Sequence, residues 1–262
     1  MLFIIRSCRV IQKAVETLKD EYLFDLIEEF RGHILQLIED QNGNHVCQKL
    51  IEALTKRSKL SSGKGFVYGR NIEFIIEDVI GNITRLSCHP YGCRVLQRIL
   101  EHCDLPQITL VLDEISKVKH SLLGDQYGNY VIQHVLQYGR VEDREGILNL
   151  VLEPGNGILK LSQEKFASNV VEKLLKYGNA EQRSKVLAEM LEEVENEKEG
   201  RICIVLLMVR DPYANYVVQT SVDVAPDGEA RQKLLSVLNS NSEKLRSYTY
   251  AKHIVAKLFP SS

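Results

Sequence analysis

The chain has 262 residues, 44% of them apolar, with 33 Lys and Arg against 35 Asp and Glu and a net charge of −2. That is apolar residue enough for a sizeable core, and the near-neutral balance excludes a globally basic binder of nucleic acid or acidic membrane, so any such partner must meet a local surface. Six cysteines, no secretory leader in the opening MLFIIRSCRV and no run of about eighteen apolar residues argue for a soluble protein with free thiols in a reducing compartment, the cytoplasm by default, and against a membrane partner.

Taken in chain order, the elements repeat. Cys8–Gln12 (CRVIQ) opens a predicted helix, and Asn44–Gln48 (NHVCQ) opens a second. A basic, Ser/Gly-rich stretch, Thr55–Arg70, is predicted to be a flexible loop. Cys93–Gln97 (CRVLQ) follows, then an amphipathic helix over Ile108–Val118, then Asn129–Gln133 (NYVIQ) and Ser168–Glu172 (SNVVE). After an amphipathic Arg183–Val194 comes an acidic loop, Glu192–Gly200, then Asn215–Gln219 (NYVVQ) and a decayed copy, Lys252–Ala256 (KHIVA). Between the second positions, Arg9, His45, Arg94, Tyr130, Asn169, Tyr216 and His253, the steps are 36, 49, 36, 39, 47 and 37 residues. A base period near 36, lengthened twice by insertions, is the mark of a repeat protein.

The flanks repeat as well. A small residue precedes each later pentapeptide: Gly43, Gly92, Gly128, Ala167, Ala214 and Ala251. Asp125 and Asp211 are placed to cap helices, and Pro90 and Pro212 suit a first helical turn. No strand-like alternation persists. The expected architecture is all-α: about three short helices per repeat, stacked as an α-solenoid in one domain spanning residues 1–262, with residues 221–262 as a closing repeat. GKG at Gly63–Gly65 and GNG at Gly155–Gly157 lack the strand context of a phosphate loop. Cys88, His89, Cys93, His102 and Cys103 lack paired ligand spacing, and no Cys/His nucleophile motif occurs. Neither a metal, a cofactor nor an enzyme activity is expected.

Why the edits fall on few positions follows from a helical wheel. With position one at zero and about 100° per residue, positions three and four occupy the apolar half, while positions one, two, five and six share the other face. Position one is Cys, Asn or Ser, and position two is Arg, His, Tyr or Asn. Position five is Gln, with Glu172 the exception; position six runs Lys13, Lys49, Arg98, His134, Lys173, Thr220. Planar groups stack on bases, amides and carboxylates meet base edges, and a row of positive groups can meet phosphates without making the chain basic. Against this stands the plainer reading of a solvated solenoid face.

At this point the chain strongly resembles the Pumilio, or PUF, RNA-binding repeats. HPYGCRVLQRILEHC, DQYGNYVIQHVL and KFASNVVEKLL carry the resemblance, which runs from about Ser7 to the C-terminal region. The resemblance implies a curved right-handed α-solenoid, with positions one and five at the Watson–Crick edge and position two stacked between bases. It implies that Cys8 and Gln12 read A beside Arg9, Asn44 and Gln48 read U beside His45, and Cys93 and Gln97 read A beside Arg94. It further implies that Asn129 and Gln133 read U beside Tyr130, Ser168 and Glu172 read G beside Asn169, and Asn215 and Gln219 read U beside Tyr216. Lys13, Lys49, Arg98, His134 and Lys173 would lie along the RNA backbone. Because the family binds RNA antiparallel to the chain, the expected target is 5′-UGUAUA-3′ in mRNA untranslated regions, with repression or decay following from recruited co-repressors or deadenylase-recruiting factors on the convex face and the 192–200 loop.

The family normally carries eight repeats, and six readers are present here, so the first two and the leading part of a third are expected to be missing. Apolar surface around Ile5, Val10 and Ile11 is expected to be exposed as a result, with lowered stability. The contrasting expectation is a protein-interaction solenoid whose RNA binding is impaired by that shortening.

Overall fold

The computed structural model describes residues 7–60, 65–155 and 157–259. Ile5, most of the GKG run and Asn156 of the GNG run lie outside the described residues. The helices in order are α1 (Cys8–Thr17), α2 (Asp20–Glu28), α3 (Ile34–Glu39), α4 (Gly43–Leu60), α5 (Gly65–Ile80), α6 (Ile83–Ser87), α7 (Gly92–His102), α8 (Leu105–Leu123) and α9 (Gly128–Tyr138). They continue with α10 (Val141–Val151), α11 (Gly157–Gln163), α12 (Ala167–Tyr177), α13 (Ala180–Met190), α14 (Ile204–Met208), α15 (Ala214–Val224), α16 (Glu229–Ser240), α17 (Ser242–Ser247) and α18 (Lys252–Leu258). The chain divides into two compact units, residues 1–122 with 126–139, and residues 123–125 with 140–262.

In each unit the helices that carry the pentapeptides stack on one another. In the first, α1 packs on α4, α4 on α7 and α7 on α9; in the second, α12 packs on α15 and α15 on α18. Positions three and four supply the contact: Val46, Cys47, Val95, Leu96, Val131, Ile132, Val170, Val171, Val217 and Val218 are all buried. Each removes its side chain from water at roughly 1.5–3 kcal/mol, which is why the repeat can be short. In α1 the pattern splits. Ile11 is buried, contrary to expectation, because it faces α4, whereas Val10 is 71% exposed. Close approach explains the small residue where it is Gly: a Cβ on Gly43 would sit 2.7 Å from the Leu37 carbonyl oxygen, and one on Gly92 2.6 Å from that of Leu86.

The capping turn lies three residues ahead of each regular helix. Asp40 has extended backbone (φ −85°, ψ 140°), its carbonyl accepts the Asn44 N–H, and its Oδ1 accepts the Asn42 and Gly43 N–H groups at 2.8 and 2.7 Å. Asp211 does the same for Tyr213 and Ala214, as its sequence position predicted, and Pro212 is then the first residue inside the hydrogen-bonded turn. In α7 the capping side chain is His89, whose Nδ1 accepts from Tyr91 and Gly92 at 3.2 Å each. An imidazole carries no fixed negative charge toward the helix N-terminus. His89→Asp is therefore expected to stabilise the first unit by about 0.5–1 kcal/mol, seen as a raised denaturation midpoint; an unchanged or lowered midpoint would count against this account of the cap.

Two expectations need correction. Thr55–Arg70 is mostly helix: α4 continues to Leu60 and α5 begins at Gly65. Two of its cations reach other helices. Arg57 Nη2 donates to the carbonyls of Val15, Glu16 and Leu18 at the end of α1, and Nη1 reaches Asp20 at 3.3 Å. Lys59 donates to the His102 carbonyl. The second correction is the 192–200 loop, which holds an antiparallel hairpin, β1 (Glu193–Asn196) with β2 (Gly200–Cys203), in register Glu193 to Cys203 and Asn196 to Gly200. Asn196 Oδ1 accepts the Lys198 and Glu199 N–H groups, and Gly200 takes φ 69°, which closes a three-residue turn. Arg210 anchors the tip through Glu199.

Candidate nucleic-acid interface

The side chains at positions one, two and five differ consistently in exposure. Position two is exposed at Arg9, His45, Arg94, Tyr130 and Tyr216, with Asn169 half-buried. The two tyrosines keep 49% and 53% of their surface in solvent, so their rings are open to a flat partner. Position five is half-buried in all six copies, Gln12, Gln48, Gln97, Gln133, Glu172 and Gln219.

Position one is buried: Asn44 and Asn129 at 0%, Asn215 at 3%, Ser168 at 4% and Cys93 at 3%, with Cys8 intermediate. The wheel placed it on the open face. The difference arises because a helical Cα–Cβ bond tilts toward the N-terminus and carries this side chain back over the capping turn. There Asn44 Nδ2 donates to the Asp40 and Gln41 carbonyls, and Asn215 Nδ2 to those of Asp211 and Pro212. Asn129 Nδ2 donates to the Gln126 carbonyl.

With its donors committed, each Asn turns its oxygen toward position five. Gln48, Gln133 and Gln219 donate Nε2 to Asn44, Asn129 and Asn215 Oδ1 at 2.8, 2.9 and 2.9 Å. All three Asn/Gln pairs are thus locked in one orientation, with the second Gln N–H pointing away from the Asn. No hydrogen bond joins Cys8 to Gln12 or Cys93 to Gln97 among the described residues; Cys93 Sγ instead faces the Pro90 carbonyl at 3.7 Å. Ser168 donates to the Lys165 carbonyl and leaves Glu172 to other partners. Three pair chemistries therefore give three presentations: a fixed amide, an untied amide and a carboxylate. Elsewhere the thiols of Cys47 and Cys103 are pushed up to about 12 by burial, so they act as small apolar groups.

At position six the cations of the first unit have acidic neighbours that the sequence reading did not include. In the first unit the side chains form a ladder: Lys13 with Glu16 at 3.5 Å, Lys49 with Glu16 at 3.1 Å and with Glu52 at 2.9 Å, Arg98 with Glu52 at 3.6 Å and with Glu101. The hydrogen bond from Lys49 holds the Glu16 carboxyl below its usual range, and Glu52 and Glu16 push the Lys49 ammonium up. His134 Nδ1 lies 3.0 Å from the Tyr130 carbonyl, and in the second unit Lys173 sits over the Tyr177 ring at 4.8 Å. The acidic partners were missed, although the signal is visible: a Glu recurs three residues after position six at Glu16, Glu52 and Glu101, the helical ion-pair spacing.

A stack of short helices that presents one flat side chain and one hydrogen-bonding pair per repeat defines a helical-repeat binder of planar, edge-readable ligands. Six stretches, residues 7–30, 33–59, 82–116, 121–152, 157–191 and 205–238, match the Pumilio-family RNA binding repeat, and the chain belongs to that family. It is 26% identical over 257 residues to a Pumilio domain-containing protein of Schizosaccharomyces pombe, covering 98% of this chain and 34% of that protein. It is 30% identical to Pumilio homolog 9 of Arabidopsis thaliana, covering 95% of this chain and 39% of that one, so it spans little more than a third of either relative. Among solved structures, PUF-8 in complex with PBE-RNA superposes with TM-score 0.81 at 35% identity, covering 97% of this chain and 68% of that one. The Puf3 RNA binding domain bound to the Cox17 RNA 3′ UTR recognition sequence, site A, gives 0.78 at 33%, covering 96% and 70%.

Proposed function

We propose that this chain binds single-stranded RNA sequence-specifically, one base per repeat, preferring 5′-UGUAUA-like elements in mRNA untranslated regions. The observation that carries the reading is the match between pair chemistry and base edge. The locked Asn/Gln pairs sit where uracil is expected, the untied Gln beside Cys where adenine is expected, and the carboxylate of Glu172 where guanine offers two N–H donors. Exposed Tyr130 and Tyr216 supply stacking surfaces on the same helices. The protein then acts by repression or decay through recruited proteins. The β1–β2 hairpin is the proposed contact for such a co-repressor, supported by a cavity of about 500 Å³ beside it lined by Arg201, Cys203, Arg210, Lys244 and Tyr248.

Fluorescence anisotropy with a labelled UGUAUA RNA, and with the same RNA carrying ACA in place of UGU, tests the reading. At ~1–3 kcal/mol per wrong base, the first should bind more than a hundredfold tighter. Equal binding of both, or of neither, would remove the RNA reading and leave a solenoid that binds protein.

A further inference from the structure

Glu172 is the one acidic residue at position five, and the repeat after it carries Thr220 where every earlier copy has Lys, Arg or His at position six. The two departures meet in space. Thr220 Oγ1 donates to Glu172 Oε2 at 3.0 Å, reaching across 48 residues of chain, and Thr220 is only 6% exposed. The first unit contains the same contact between a different pair: Arg98, at position six, donates Nε to Gln48 Oε1, at position five of the preceding repeat, at 3.4 Å. Position six thus touches the reading group of the preceding repeat once in each unit. An arginine held on the Gln48 oxygen, with Asn44 on the opposite end of the amide, leaves an N–H as the outward function.

A cation at 220 would be a second one on Glu172 beside Lys176 and would further offset the charge that a donor-rich ligand meets. A hydroxyl donates one hydrogen bond, fixes the carboxylate rotamer and leaves its negative charge in place. Both bonds that Glu172 makes fall on Oε2: the buried Thr220 hydroxyl, and the half-exposed Lys176 ammonium at the longer distance of 3.4 Å. Oε1 makes none among the described residues, and Lys176 is the contact that an incoming edge would displace.

We infer that Thr220 is a positioning residue that sets base selectivity in the neighbouring repeat, orienting Glu172 as a charged double acceptor for guanine. The inference rests on the RNA-reading function proposed above. The test is anisotropy with the full chain and the RNAs UGUAUA, UAUAUA and CGUAUA, for the wild type, Thr220→Val and Thr220→Ser. Thr220→Val keeps the shape and removes the donor; it is expected to shrink the UGUAUA-over-UAUAUA preference about five- to tenfold and to leave the UGUAUA-over-CGUAUA preference as it was. Thr220→Ser restores the donor and should restore the preference, and Thr220→Ala, which also removes the donor, takes the place of the Val variant if that one fails to fold. An unchanged second-base preference in Thr220→Val, or its loss in Thr220→Ser as well, overturns the inference. If the wild type itself does not separate UGUAUA from UAUAUA, the underlying reading of Glu172 has failed instead.

Discussion

Replacing Ser168 with Asn and Glu172 with Gln together is expected to turn the preferred second base of the target from G to U. The pair would become chemically equal to Asn129 and Gln133, where Nε2 to Oδ1 at 2.9 Å fixes the amide. The capping turn that such an Asn needs is present, since Ser168 already donates to the Lys165 carbonyl and its N–H bonds to that of Glu164. A carboxylate accepts from guanine N1–H and N2–H₂, whereas Gln would turn a donor toward one of them. With ~1–3 kcal/mol at stake per wrong base, the ratio of affinities for UGUAUA and UUUAUA should invert, with tenfold or more on each side. Competition binding with the two RNAs reads this directly. A double variant that still prefers UGUAUA would show that this pair does not face the second base.

Arg57→Ala is expected to loosen the first reading helix. The guanidinium ties three carbonyls at the end of α1 to α4 and is 19% exposed, so its bonds are largely shielded from water. Losing charge-assisted bonds to orphan carbonyls costs about 1.5–3 kcal/mol. Because stacked repeats gain most of their stability from nearest neighbours, the loss should appear as fraying of α1 and α2 before the rest. Hydrogen exchange should show protection falling across residues 8–28 while α12 and α15 keep theirs. Arg57→Lys should recover only part of it, since one ammonium cannot stand both among the carbonyls around Nη2 and beside Asp20 at Nη1. Uniform loss across both units would argue that Arg57 supports the whole fold rather than one helix end.

The repeat, the buried Val/Ile face and the exposed flat groups were legible from sequence, because each is a statement about period and polarity that stacking enforces copy after copy. Residues that act once escaped it. Asn196 and Gly200 close a hairpin whose strands are four residues long, too short for alternation to show against a helical background. Thr55–Leu60 reads as loop by composition, yet it extends α4 because Arg57 and Lys59 find carbonyls of distant helices, and a single sequence carries no trace of such partners. The burial of Asn44, Asn129 and Asn215 was missed for a geometric reason: a wheel projects Cα positions and omits the backward tilt of the side chain. His89 as a cap went unseen because imidazole is not a usual residue there, although three other copies place Asp40, Asp125 and Asp211 at the same offset.

The ladder from Lys13 to Glu101 bears on how a charged partner is approached. Unpaired cations along a groove draw an anionic strand from beyond contact and speed its capture, an advantage that salt erodes. Here Lys13, Lys49 and Arg98 each face a carboxylate, which weakens the field that these three cations extend past the surface. The ladder itself is then expected to add less steering, and less dependence on ionic strength, than the same three cations would add unpaired. Lys13, Lys49 and Arg98 are thereby held in place as neighbours of the reading face rather than as bait for any polyanion.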